Sequence, residues 1–319
     1  MNTYLVTGGA GFIGSHLVRR LVRLGHRVRV LDNFSTGRRA NLAEVAARVE
    51  LVEGDVADPA VAHRAVDGVE YVLHQAALPS VPRSIADPLT THHSNVEGTL
   101  QLLIAARDAG VRRVVQASSS SVYGDTETLP KAESHPLAPR SPYAASKAAG
   151  EHYGHAFFRS YGVPYVALRY FNVFGPGQDP ASQYAAVIPR FIRAYLRGET
   201  PVVVGDGLQS RDFCFVENVV NANLLACQST RAPGHSLNVA CGERTTLLGV
   251  LELLAEHVGR RLPPRHDPPR PADVRHSLAD LTLSHDILGY RPEVLFPEGL
   301  RRTVDWFRAH LSADGALDA

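Results

Sequence analysis

Tyr143 and Lys147 stand four residues apart in S-P-Y-A-A-S-K, a spacing that puts both side chains on one face of a helix. An ammonium beside a phenol favours the phenolate over an unperturbed pKa of about 10, and so makes a base matched to neutral pH. Such a base suits removal of a proton from an alcohol. Upstream, Ser118, Ser119, Ser120 and Ser121 follow a strand-like run, and each offers a hydroxyl to hold the reacting oxygen. Serines after a strand also cap and turn the chain, so the pattern alone leaves the choice among them open.

A partner for the alcohol's hydride is implied by V-T-G-G-A-G-F-I-G-S near the N-terminus. The string follows a strand and opens a helix, the context a dinucleotide fingerprint requires. Gly8 permits the tight turn, Gly11 lets backbone approach a pyrophosphate, and Gly14 allows close packing of helix on sheet. Free amides at the positive helix end then attract phosphates. Asp32 closes the next strand about twenty residues on, where a carboxylate bonds the adenosine ribose and repels a 2′-phosphate, favouring NAD over NADP. Asp55 and Val56, after V-E-G, suit either the adenine edge or a turn. These parts together suit hydride exchange between a sugar-like alcohol and a nicotinamide.

The elements that must position them alternate. Apolar β-rich runs at 4–7, 27–31, 49–53, 70–74 and 112–117 are separated by helical patterns starting near Phe12, Pro59 and Thr90. That alternation reads as βαβ units on a parallel sheet. A helix carries Tyr143 and Lys147, and 165–169 reads as a further strand. Beyond Asn172 the chain loosens into F-G-P-G-Q-D-P, and 202–214 reads as short strands and turns. The stretch 261–271, with five prolines, is expected to be irregular, and the residues after His310 to be frayed.

At 319 residues the chain can bury a sizeable core. A net charge of +1 gives no electrostatic case for nucleic acid or for an anionic membrane. Three cysteines, Cys214, Cys227 and Cys241, have neither metal-ligand nor disulfide-framework spacing, so no metal is expected and a reducing cytoplasm is the expected location. The N-terminus runs straight into a strand, which leaves no room for a signal peptide, and no apolar run is long enough to span a membrane.

Further strings sharpen the picture: H-Q-A-A-L-P-S-V-P-R-S, S-S-S-S-V-Y-G-D, L-R-Y-F-N-V-F-G, Q-D-P-A-S-Q-Y-A-A-V-I-P, S-R-D-F-C and D-V-R-H-S-L-A-D. In this order they resemble the extended short-chain dehydrogenase/reductase superfamily over essentially the whole chain, and within it the UDP-hexose 4-epimerases, especially those acting on N-acetylated sugars. The resemblance implies an α/β fold with a Rossmann-type doubly wound parallel sheet and a smaller C-terminal substrate lobe. Residues 1–171 would form the NAD-binding domain with 214–240 returning to it, while 172–213 and 241–319 would bind the nucleotide sugar. A homodimer built from the helix near 90–108 and the Tyr143 helix is also implied.

Residue by residue, the resemblance implies that Ser119 joins Tyr143 and Lys147 in catalysis, with Ser120 and Ser121 beside the substrate. It extends the cofactor set to Phe12, Ile13 and Asn33, to Gln75, Ala76 and Ala77, and to Asn95 and Tyr170. On the sugar side it implies Ser80, Asn172 and Gln178, with Ala186 and Val187 near the uridine. Arg211 and Arg270 would clamp the diphosphate through their planar forks of donors. Ser277 falls where relatives restricted to glucose and galactose carry a bulky tyrosine, and a small residue leaves room for a 2-acetamido group. The implied reaction is NAD-dependent epimerisation at carbon 4, of UDP-GlcNAc and UDP-GalNAc, with UDP-Glc and UDP-Gal as possible further substrates. Alternatives are a UDP-glucuronate 4-epimerase or another NAD-dependent nucleotide-sugar enzyme, and, from a different class, a non-catalytic NAD sensor. Elimination is disfavoured, because Ser120 and Ser121 occupy the places where dehydratases carry a further acid and base.

Overall fold

The computed structural model describes residues 1–180, 186–269 and 274–311. Seven strands form one wholly parallel sheet: β1 (Thr3–Thr7), β2 (Arg27–Asp32), β3 (Val49–Glu53), β4 (Tyr71–His74), β5 (Arg113–Ser119), β6 (Tyr165–Tyr170) and β7 (His235–Val239). Their spatial order is β7-β6-β5-β4-β1-β2-β3, so the chain winds outward in both directions from β1. This is the doubly wound arrangement, whose ligands lie beyond the strand carboxyl ends where the order reverses.

The central strands read as continuous apolar runs because both sheet faces are covered. Leu5, Val6, Val72, Leu73, Val114, Val115, Val166 and Leu168 are all buried. On one face lie α1 (Phe12–Arg23) and the helix Val216–Gln228, packed through Leu17, Val18, Leu21, Val219 and Ala222. On the other lie α2 (Pro59–Val66), α3 (Gly98–Asp108) and α4 (Pro142–Tyr161), contributing Ala62, Leu102, Ala106 and Phe157. The helical run that includes α3 begins at Pro88 and passes through a π-type turn at His93–Glu97.

A second core gathers around Phe174, Phe191, Phe213, Phe215, Phe296 and Phe307. Phe213 stacks on Phe296 with centroids 4.9 Å apart. Two-stranded pairs brace this lobe: Val173–Phe174 with Cys214–Phe215, Ser210–Arg211 with Thr245–Thr246, and Val202–Val204 with Arg265–Asp267. The last pair corrects the expectation of an irregular 261–271. Proline restricts itself and the residue before it, so Arg265 still donates its N–H to Pro201 at 2.9 Å between the two proline pairs. Residues 312–319, most of the tail expected to fray, lie outside the described residues.

Candidate active site

At the carboxyl ends of β1, β2, β4, β5 and β6 opens a cavity of about 1200 Å³. That exceeds the roughly 300–1000 Å³ of an ordinary single-ligand pocket, so there is room for a dinucleotide and a second ligand.

The dinucleotide end follows from the glycines. Gly8 has φ of +64°, and a Cβ on it would meet Ala76 N at 2.7 Å. A Cβ on Gly14 would stand 2.1 Å from the Gly8 carbonyl oxygen, so no side chain fits there. Gly11 caps α1 without a side-chain hydrogen bond, which leaves the first-turn amides facing the cavity for an anion. Asp32 ends β2 on the same wall, and its oxygens accept from Ala10 N at 2.9 Å and Phe34 N at 2.8 Å. A carboxylate keeps lone pairs beyond those two bonds, enough for a ribose diol. Arg39 is held elsewhere, paired with Glu53 and lying over the Phe34 ring at 4.2 Å. This donor set fits NAD.

Phe12, Ile13, Asn33, Asp55, Val56, Ala76 and Ala77 also reach the wall. Gln75 and Tyr170 do too, joined to each other at 3.2 Å, with the buried Asn223 amide donating to the Tyr170 hydroxyl at 2.8 Å. Asn95 does not. It sits in the π-type turn, where its side chain accepts from Leu78 N at 2.8 Å and donates to Ser146 Oγ at 2.9 Å. Its amide thus braces the wall from behind.

The reactive groups meet because α4 starts where it does. Ser141 Oγ accepts from Ala144 N at 3.1 Å and Pro142 takes the first helical position, so Tyr143 lies in the opening turn. Ser119 ends β5; its Oγ accepts from Ser121 N at 3.2 Å and from Ser121 Oγ at 2.9 Å. Ser118 Oγ instead donates to Glu151. The Ser119 hydroxyl near Tyr143 favours the phenolate, but burial outweighs it and pushes the Tyr143 phenol above its ordinary value. The expected lowering by Lys147 is corrected here. Lys147 Nζ donates to Ala117 O at 2.8 Å, and burial pulls the lysine down to about 8, against the pull of Glu151. The chain alone holds Tyr143 as a phenol at neutral pH.

On the far side lie Ser80, Asn172, Gln178, Ala186, Arg211 and Ser277, with Ser120 and Ser121 between. Ser80 and Asn172 carry strained positive φ values of +133° and +33°, a feature that clusters at functional sites. Asn172 Nδ2 donates to Ser277 Oγ at 3.1 Å and to Asp212 O at 3.0 Å, tying the sheet to the second lobe. Val187 opens the next helix just behind the wall, and Arg270 lies outside the described residues. Sequence reasoning missed three charged groups on the wall: Lys131, Asp179 and Arg190. It also missed Asp212, whose buried carboxylate accepts from Cys241 N, Gly242 N and Ala279 N at 2.8–3.1 Å. The S-R-D-F-C string was the available signal for Asp212; nothing local marked Lys131.

A model of the NAD dependent epimerase/dehydratase family matches residues 4–240. The chain is 41% identical over 308 residues to a UDP-glucose 4-epimerase of Mycolicibacterium smegmatis, covering 95% of this chain and 98% of that one. Among solved structures it is similar to a Thermotoga maritima UDP-glucose 4-epimerase with UDP-glucose (TM-score 0.93, 38% identity, 97% of this chain and 100% of that one). It is also similar to a Methanobrevibacter ruminantium UDP-N-acetylglucosamine 4-epimerase in complex with UDP-N-acetylmuramic acid (TM-score 0.92, 42% identity, 97% and 98%).

Proposed function

Since this chain belongs to the NAD dependent epimerase/dehydratase family and is an NAD-dependent UDP-sugar 4-epimerase, we propose that its substrates are UDP-GlcNAc and UDP-GalNAc, with UDP-Glc and UDP-Gal also accepted. The observation that carries this reading is Ser277, a small side chain on the sugar-side wall, bonded to Asn172.

In the proposed mechanism Tyr143 takes the proton of the sugar's 4-hydroxyl, and Ser119, on the wall beside it, holds the same oxygen. NAD, once bound, would supply a positive ring that favours the phenolate and a reversible hydride acceptor for carbon 4 of the sugar. Lys147, anchored on Ala117 O, has N–H donors left for the nicotinamide ribose. Arg211 on the wall serves the sugar diphosphate, and Asn172 orders the loop beneath it. Ser121 is occupied in orienting Ser119, and neither it nor Ser120 has the acidity that an elimination requires.

Incubation with UDP-GlcNAc, UDP-Gal and UDP-glucuronate, followed by NMR of the anomeric protons, tests reaction and substrate together. Ser277→Tyr should lower kcat/KM for UDP-GlcNAc by at least roughly 10-fold relative to UDP-Glc, the scale of a steric clash costing more than about 1.4 kcal/mol. Equal effects on both substrates would remove Ser277 from the specificity argument.

We place the homodimer contact on α4 and the Pro88–His92 helix, because Tyr153, Tyr161 and Leu89 leave large apolar surface exposed there. Analytical ultracentrifugation should give a dimer, and Tyr153→Glu with Leu89→Glu should give monomer; a monomeric wild type would rule the contact out.

A further inference from the structure

The strip of wall beside Ser277 holds a second polar side chain. Lys131 lies in the loop between β5 and α4, yet it is 1% exposed and lines the cavity. Its backbone fixes it there: Lys131 N donates to Leu278 O at 2.7 Å, Asp280 N donates to Lys131 O at 3.0 Å, and Lys131 bridges in parallel to Ala279. Lys131 and Ser277 both line the cavity, and Lys131 N is bonded to the carbonyl of the residue that follows Ser277, so the two come from adjoining strips of the wall.

An ammonium has three donors. Among the described residues Lys131 Nζ makes one hydrogen bond, to Gly124 O at 2.8 Å. The carboxylates that could answer it are engaged elsewhere. Asp125 pairs with Arg140 at 2.7 Å, and Asp212 is surrounded by its three backbone amides. Buried polar groups are almost always hydrogen-bonded, so spare donors on a cavity wall call for an acceptor brought by the ligand. Burial lowers the lysine pKa, with Asp125 opposing and Arg211 adding to the effect, and a ligand oxygen would relieve that cost.

We propose that Lys131 is a specificity-determining residue, donating a hydrogen bond to the carbonyl oxygen of the sugar's 2-acetamido group in the space that Ser277 leaves open. The assignment rests on the reading of UDP-GlcNAc as substrate and adds an attractive element to a wall otherwise distinguished only by missing bulk. On this assignment the shorter carbon-2 hydroxyl makes no such bond, so the lysine separates the two sugar classes by attraction, not by exclusion.

The test is the ratio of kcat/KM for UDP-GlcNAc to that for UDP-Glc, in the wild type and in Lys131→Met, which keeps length and apolar stem. A charged hydrogen bond lost only with the acetamido sugar should lower this ratio roughly 10–100-fold. An unchanged ratio overturns the proposal, whether both activities persist or both fall together. Loss confined to UDP-glucuronate also overturns it, in favour of a carboxylate ligand. Wild type turning over UDP-Glc but not UDP-GlcNAc refutes the substrate reading itself, whereas wild type preferring UDP-GlcNAc with Lys131→Met equally selective refutes only the lysine.

Discussion

Replacing Tyr143 with Phe is expected to lower kcat by about 10²–10⁴-fold, the usual contribution of positioned acid–base catalysis. The loss should appear in kcat with little change in KM, because the phenolic oxygen acts on the proton in flight and adds little ground-state binding. The fold should be untouched, since the ring remains and only the hydroxyl facing Ser119 is removed. Tightly bound NAD should persist in the variant, as the glycine turn and Asp32 lie on other elements. Single-turnover measurements on the purified variant with UDP-sugar would decide the matter. Retention of near-wild-type kcat would shift the role of base to another group, such as Lys147 one helical turn along.

The Tyr143 phenol also marks a limit of what residue spacing conveys. Tyr143 and Lys147 do share a helical face, and the glycine turn, Asp32 and the β5 serines do meet at one end of the sheet, because each depends on local pattern. The direction of the phenol's pKa depends on burial by elements scattered through the chain, and no spacing records that sum. The partners of Asn95 were equally beyond reach of spacing: it sits in a π-type turn and bonds Leu78 and Ser146, far from it in the chain. Lys131 was invisible because its burial comes from a bridge to Ala279, contributed by a distant part of the chain. The strand Arg265–Asp267 exists only because Val202–Val204 runs beside it. Local chemistry was legible; long-range pairing was not.

Arg169→Met should destabilise the fold by about 3–5 kcal/mol, the cost of stranding a buried charge. Arg169 and Glu151 are 5% and 1% exposed, and the guanidinium fork meets the carboxylate at 2.7–3.2 Å. Burial alone would raise the Glu151 carboxyl, but Arg169, Ser118 and Ser236 together hold it below its ordinary value. Without Arg169 that carboxylate loses its counter-ion and must either protonate or draw in water. Thermal unfolding should fall by roughly 10 °C on that scale. Adding Glu151→Leu should recover part of the loss, giving a double-mutant coupling of at least about 1.5 kcal/mol. Recovery stops short of wild type because Ser118 and Ser236 would then lack their acceptor. Strictly additive losses would mean that the pair is not the unit it looks to be. Its position ties stability to catalysis: Glu151 lies one turn beyond Lys147 on α4, and Ser118, which it binds, is the residue before Ser119 on β5. The ion pair thus pins helix and strand together directly behind Ser119 and Lys147, so the single variant should lose kcat even at temperatures where it remains folded.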